Sequence, residues 1–264
     1  MLTVTLSDLV VYPIKSAAGI PVPEWAVDSF GLENDRRWMV VDPGGRMVTQ
    51  RTHPRLALAH PAFEGDRLVV RGPGLDPLSL RLHPADAVGT TVSIWKDQCT
   101  ALWQGEAAAG WFSRLLQADV MLVYMPESTW RPAEPAYAPA ESRVSFADAY
   151  PFLLLSEESL ADLNRRMSTP LPMNRFRPNL VIRGGAAFGE DAMAGFTIGE
   201  MGFRAVKPCD RCVLTTTDQE TTERGVEPLR TLATFRKVDG KVYFGQNVVH
   251  DRPGRLAVGM PVRL

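Results

Sequence analysis

Lys207-Pro208-Cys209-Asp210-Arg211-Cys212, running on into Val213-Leu214-Thr215-Thr216-Thr217, is the stretch on which the reading of this chain turns. Two cysteines at C-x-x-C spacing can share a metal, form a redox disulfide, or supply one thiolate of low pKa. A structural zinc site needs four ligands. His53, His60, His83 and His250 offer no close spacing for one, and Cys99 stands apart. A thioredoxin-type pair sits at a helix N-terminus, whereas the β-branched run Val213 to Thr217 is expected to be a strand. A third reading is two thiols packed in a core. Lys207, Asp210 and Arg211 weigh against it, because basic neighbours favour the thiolate, the form that binds a soft metal or attacks an electrophile. Locally, all three readings stay open.

Three other places carry chemistry. In Arg175-Phe176-Arg177-Pro178-Asn179, read as extended, Arg175 and Arg177 face one side. Arginine recognises phosphate bidentately, and Asn179 can bond the edge of a heterocycle with both donor and acceptor. In Tyr12-Pro13-Ile14-Lys15-Ser16 a strand ends in a turn that carries Lys15 and Ser16, and Asp35-Arg36-Arg37-Trp38 opens a hairpin. A solvated pair of surface arginines is the plain alternative for Arg175 and Arg177, and each of these places alone is a weak signal. No Walker or dinucleotide-type glycine motif occurs, so an NTP or NAD site has no support.

Around these motifs, the 264 residues have a formal net charge of -1 and are 45% hydrophobic. The composition is that of an ordinary globular protein without the basic excess of a nucleic-acid binder. The apolar run Pro151 to Leu155 falls far short of the roughly 20 residues a membrane helix needs. The opening MLTVTLSDLVVYPIKS reads as a first strand, not as a signal peptide. Three cysteines, an odd and sparse count, point to free thiols in a reducing cytoplasm. Glycine and proline number 21 each, which favours short strands joined by turns.

Strands are expected at Val4 to Val11, Val22 to Val27 and Trp38 to Val41, the last paired with Arg46 to Thr49 across Asp42-Pro43-Gly44-Gly45. Others follow at Ala59 to Phe63, Arg67 to Val70, Leu78 to Leu82, Thr91 to Ile94 and Val120 to Tyr124. Helices are expected over Ala107 to Leu116, Ser156 to Met167 and Pro228 to Arg236, the second with Ser156 as its cap. Beyond Asn179 the pattern is mostly strands. Proline-rich Pro126 to Pro139 marks a boundary, giving domains 1–125 and 126–264.

Taken together, the motifs resemble the MOSC family, the C-terminal domain of molybdenum cofactor sulfurases, with its preceding β-barrel domain. YPIKS, GLENDRRWMVVD and MVTQRTHPRLA are similar to the N-terminal domain. PFLLLSEESLADLN, RFRPNLVI, KPCDRCVLTTTD, EPLRTL and FGQN are similar to the MOSC domain. Within the family, the motifs resemble the amidoxime-reducing branch. The resemblance implies an α+β, predominantly β architecture, with a β-barrel-type MOSC domain packed on a β-rich N-terminal domain and few helices. It implies a molybdenum cofactor (molybdenum on a pterin with a terminal phosphate) whose metal is ligated by Cys212. Lys15, Ser16, Arg36, Arg177 and Asn179 hold that cofactor, and Asp210 is a candidate proton relay.

Two departures stand out. Asp210 occupies a position where relatives often carry Ser, and Ala149-Tyr150 replaces a hydroxyl pair. The implied reaction is reduction of small N-hydroxylated substrates by oxygen-atom transfer. Three cysteines cannot hold a four-thiolate iron–sulfur cluster, so the electron donor is expected to be a separate ferredoxin-like or flavin reductase. The rival is a sulfur-carrier or cofactor-delivery module working through a cysteine persulfide.

Overall fold

A computed structural model of the chain describes residues 4–84 and 87–264. Residues 1–3, at the head of the opening MLTVTLSDLVVYPIKS segment, lie outside this range. The strand itself runs Thr5–Val11.

The chain is predominantly β, built on one large curled sheet and three smaller ones among the described residues. The large sheet runs, in spatial order, through Val262–Arg263, Gly195–Ile198, Met201–Asp210, Lys241–His250, Phe152–Ser156, Leu180–Arg183, Thr5–Val11 and Ile20–Pro21. The first strand of the chain thus completes a sheet made mainly by the last third, pairing Leu9 with Leu180. A four-stranded sheet follows the order Trp38–Val41, Met121–Tyr124, Asp97–Trp103 and Gly89–Ile94. The hairpin strands His60–Glu64, Arg67–Gly72 and Leu75–Arg81 form a third sheet.

Two large apolar cores, with smaller ones beside them, follow from these layers. One gathers Ile14, Trp38, Val40, Leu68, Trp111, Phe112 and Leu122 under the helix Gly105–Leu116. The other gathers Leu6, Leu9, Phe152, Leu180, Ile182, Phe203 and Val248 inside the large sheet. The helix Glu157–Arg165 starts at Ser156, whose side chain accepts from the Ser159 N–H as expected for a cap, a contact of about 1 kcal/mol. Leu163 is its fully buried apolar residue, while Leu160 and Met167 pack partly buried against the same small core.

Four expectations need correction. Arg46 to Thr49 forms only isolated bridges, because Arg46 and Gly45 turn back onto Asp42. Asp97–Trp103 is a full strand whose mixed polarity hid it from the alternation pattern. The third helix is confined to Leu229–Leu232. Val213–Thr216 is a single 3-10 turn, not a strand. Its hydroxyls explain why: Thr215 and Thr216 bond back to the carbonyls of Cys212 and Val213, offering the backbone a tighter alternative to a sheet ladder.

Candidate functional site

The cysteine segment is the frayed end of a strand. Met201–Asp210 is paired on one side with Gly195–Ile198 only as far as Arg204, and on the other with Lys241–His250 as far as Asp210. Pro208 has no N–H, so it sits where the first of these neighbours has ended. The register slips between Pro208 and Asp210, opposite Gly245, which holds φ +83. A Cβ at Gly245 would lie 2.7 Å from the Leu154 carbonyl oxygen, so this bulge requires glycine. The bulge shifts the strand's register while its pairing continues through Asp210 and Arg211, and Cys209 to Cys212 line a cleft.

That cleft holds about 810 Å³ of free space, counting its solvent-filled mouth, and it collects Lys15, Ser16, Arg36, Arg177, Asn179, Asp210 and Cys212. All seven residues that the resemblance implies therefore line one space, whereas Arg175, Arg37 and Lys207 do not. Three of them, Ser16 (φ 66), Arg36 (φ 49) and Arg177 (φ 58), hold left-handed backbone conformations, unfavourable for side chains with a Cβ. The fold accepts this strain to aim these three residues at a common point.

Each cation has a different partner. Lys15, buried, donates to the Phe146 carbonyl at 2.7 Å and to Asp148 Oδ1 at 2.5 Å. Burial lowers its pKa to about 8, with Asp148 opposing the fall. Arg36 bonds Asp35, and it also donates to Asn179 Oδ1 at 2.7 Å. Burial pushes the Asp35 carboxyl up, while Arg36, the Tyr12 N–H and Asn179 pull against it. Arg177 has neither carboxylate nor side-chain hydrogen bond among the described residues. Its Nη2 is fully buried and unpartnered, and burial brings its pKa down to about 10. Arg36 and Arg177 both lie on the Tyr12 ring, 4.5 and 4.3 Å from its centroid.

Two residues with no role assigned from sequence complete the wall. Arg51, inside the quoted MVTQRTHPRLA segment, reaches Asp148 Oδ2 at 3.1 Å and stacks 4.6 Å from the Trp95 ring centroid. Burial lowers the Arg51 pKa, but Asp148 and Cys212 outweigh it and raise the pKa above its ordinary value. Asp148, half exposed on the cleft wall, meets both Lys15 and Arg51. Desolvation opposes its ionisation, yet these two cations hold its carboxyl well below the usual range. A lone Asp in Phe146-Ala147-Asp148 carries no local signal. Only the topology brings it opposite Lys15.

The basic neighbours of the cysteine pair are not arranged as expected. Lys207 turns away to the Tyr137 ring at 4.4 Å and to Glu134 at 3.5 Å. Arg211 donates to Cys209 Sγ at 3.0 Å and to the Phe176 carbonyl at 2.7 Å, so it serves Cys209, while Arg51 faces Cys212. Burial pushes the Cys209 thiol up and Arg211 draws it down, with a net rise. Arg175 and Arg177 do not share a face, because Met173–Arg175 is a 3-10 turn and Arg177 is left-handed. Arg175 instead bonds the Thr215 carbonyl at 3.0 Å and pairs with Asp218, bracing the turn after Cys212. Asp210, exposed at the mouth, lies 3.3 Å from Lys241 Nζ. Cys99 is buried in a separate core with Met39 and Val41.

Comparison with known proteins identifies the family. Residues 3–119 match the MOSC N-terminal beta barrel domain and residues 141–263 the MOSC domain. The chain is 35% identical to mitochondrial amidoxime-reducing component 1 of Homo sapiens, over 98% of this chain and 82% of the relative. It is 35% identical to mitochondrial amidoxime reducing component 2 of Bos taurus over the same shares. Identity to component 1 of Danio rerio is 34%, over 97% of this chain and 83% of the relative.

Proposed function

From the premise that this chain belongs to the MOSC family, in the branch related to the amidoxime-reducing components, we propose that it is a molybdenum-cofactor-dependent reductase of small N-hydroxylated compounds. The observation that carries this reading is the unpartnered Nη2 of Arg177, buried on the wall of the same cleft as the free thiol of Cys212. A buried guanidinium without an acceptor is costly, and a phosphate oxygen removes that cost. The residues present fit a group with an anionic end and a soft metal at the other.

In this reading Lys15, Ser16, Arg36 and Arg177 bind the phosphate-bearing part, Asn179 orients the pterin edge and Cys212 supplies the thiolate ligand. When bound, the cofactor supplies two-electron oxygen-atom transfer, which converts an N-hydroxylated compound to its amine or amidine. Arg51 stands beside Cys212 and neutralises thiolate charge. Asp210, exposed at the mouth 3.3 Å from Lys241 Nζ, is the residue placed to relay a proton towards the departing oxygen. Cys99 is buried elsewhere, so only two thiols reach the cleft and a four-thiolate cluster cannot form there. We therefore assign the electrons to a separate ferredoxin-like or flavin reductase, and place the protein in a reducing compartment such as the cytoplasm.

Metal analysis after expression in a host that makes the cofactor tests the reading. Near-stoichiometric molybdenum is expected, lost in Cys212→Ala and retained in Cys209→Ala, with conversion of benzamidoxime to benzamidine by reduced protein. Protein that carries no molybdenum but a labile persulfide on Cys209 or Cys212 would instead establish the sulfur-carrier alternative.

A further inference from the structure

Tyr12 belongs to none of the roles above, yet it lies beneath two of them. Its ring is 3% exposed. Its N–H donates to Asp35 Oδ1 at 2.7 Å, and its carbonyl accepts from the Arg36 N–H at 2.7 Å. A Cβ at Gly19 would come within 2.5 Å of the ring edge, so the loop closes on Tyr12 only because position 19 is glycine. The ring is thereby fixed, and the Arg36 and Arg177 guanidiniums lie 4.5 and 4.3 Å from its centroid. Its hydroxyl makes no hydrogen bond among the described residues.

We infer that Tyr12 is the positioning residue of the anion site, its π face holding the Arg36 and Arg177 guanidiniums in register for a phosphate monoester. This rests on the reading that the cleft takes a phosphate-bearing cofactor. The physical case is a comparison of two ways to hold an arginine. A carboxylate fixes a guanidinium but occupies its N–H groups and cancels its charge. An aromatic face attracts the cation through the ring quadrupole and leaves the N–H groups, which point outward in the guanidinium plane, available to an incoming oxyanion. Lys15 is held the first way, by Asp148. Arg177 is held only the second way, and its Nη2 is the group left without an acceptor.

The test replaces Tyr12 with phenylalanine and then with difluoro- and tetrafluoro-phenylalanine, which keep the ring's shape while draining its face of electron density. Inorganic phosphate is titrated calorimetrically into cofactor-free full-length protein, with a thermal melt of each variant. Tyr12→Phe is expected to bind within about twofold of wild type. The fluorinated variants should weaken stepwise, by about 3- to 30-fold at the end of the series, with little change in melting temperature. An affinity flat across the series overturns the inference. The two readings fail differently. If wild type binds phosphate and Arg177→Gln does not, while the fluorinated series stays flat, only the role of Tyr12 falls. If wild type binds no better than Arg177→Gln, the phosphate site falls and this inference with it.

Discussion

Asp148 Oδ1 stands 2.5 Å from Lys15 Nζ, an ion pair between residues 133 positions apart that joins the turn after the first strand to the segment leading into Phe152–Ser156. The lysine is buried, and the carboxylate is half exposed and shared with Arg51. Replacing the carboxylate by an amide leaves a buried ammonium with neutral acceptors and no counter-charge. Asp148→Asn should therefore destabilise the protein by about 1–2 kcal/mol at neutral pH, below the fully buried case because Asp148 faces solvent. Urea denaturation of the two proteins checks this, and equal midpoints would mean that Lys15 is held by its carbonyl alone.

The same lysine sets a pH dependence. Burial lowers its folded-state pKa to about 8 from an ordinary 10.5. Between those values the unfolded chain keeps a proton that the folded chain has lost, so this group's contribution to stability rises with pH across the window. Anion binding runs the other way. Below about 8 the ammonium is present and Lys15 adds no pH dependence of its own to affinity. Above it, each binding event must first recover a proton, and affinity falls towards tenfold per pH unit. Calorimetric titration of phosphate on either side of pH 8, in buffers of different ionisation enthalpy, reads both the fall and the proton uptake. Level affinity through this range would remove Lys15 from the anion site.

How much of this was legible in the sequence depends on how local each signal is. The Ser156 cap and the helix after it follow from residues within one turn, and the site residues came through ordered motifs whose resemblance covers nearly the whole chain. Asp148 lies outside those motifs, and Tyr12 lies inside one that says nothing of its contacts, because their partners sit far away along the chain: Asp148 meets Lys15, and Tyr12 meets Arg36 and Arg177. Val213–Thr216 was misread for a different reason. β-branched composition predicts a strand, but two threonine hydroxyls bonding back three residues tip the same composition into a 3-10 turn. Arg175 and Arg177 were assigned to one face by a spacing rule that holds only for extended backbone, and the left-handed conformation at Arg177 breaks it.

Gly245 tests whether the bulge shapes the cysteine segment. A Cβ there would meet the Leu154 carbonyl at 2.7 Å and Leu155 at 2.9 Å, on backbone already at φ +83. Gly65, at φ +62, has nothing within 4 Å of its would-be Cβ. Gly65→Ala should cost about 1 kcal/mol, from its backbone conformation alone. Gly245→Ala should cost about 2–4 kcal/mol, since the clashing atoms belong to a neighbouring strand that cannot yield cheaply. Chemical denaturation of the two variants gives the comparison, and similar losses would mean that the bulge tolerates a side chain.

Arg175 and Arg177 differ by two positions and should behave in opposite ways when each is replaced by methionine. Arg175 is buried with its Nε on the Thr215 carbonyl and a carboxylate at Asp218. Its loss strips a hydrogen bond from the turn after Cys212, so Arg175→Met should lower stability by about 2–3 kcal/mol. Arg177 is buried without a carboxylate and with an orphaned nitrogen, a charge the ligand-free fold bears at a cost. Its contact with Tyr12 returns only part of that cost. Arg177→Met should therefore melt within about 1 kcal/mol of wild type, or above it, while phosphate affinity falls at least tenfold. Thermal melts paired with calorimetry separate the two residues. A loss of stability in Arg177→Met as large as in Arg175→Met would make Arg177 a structural arginine and take away the main support for an anion in the cleft.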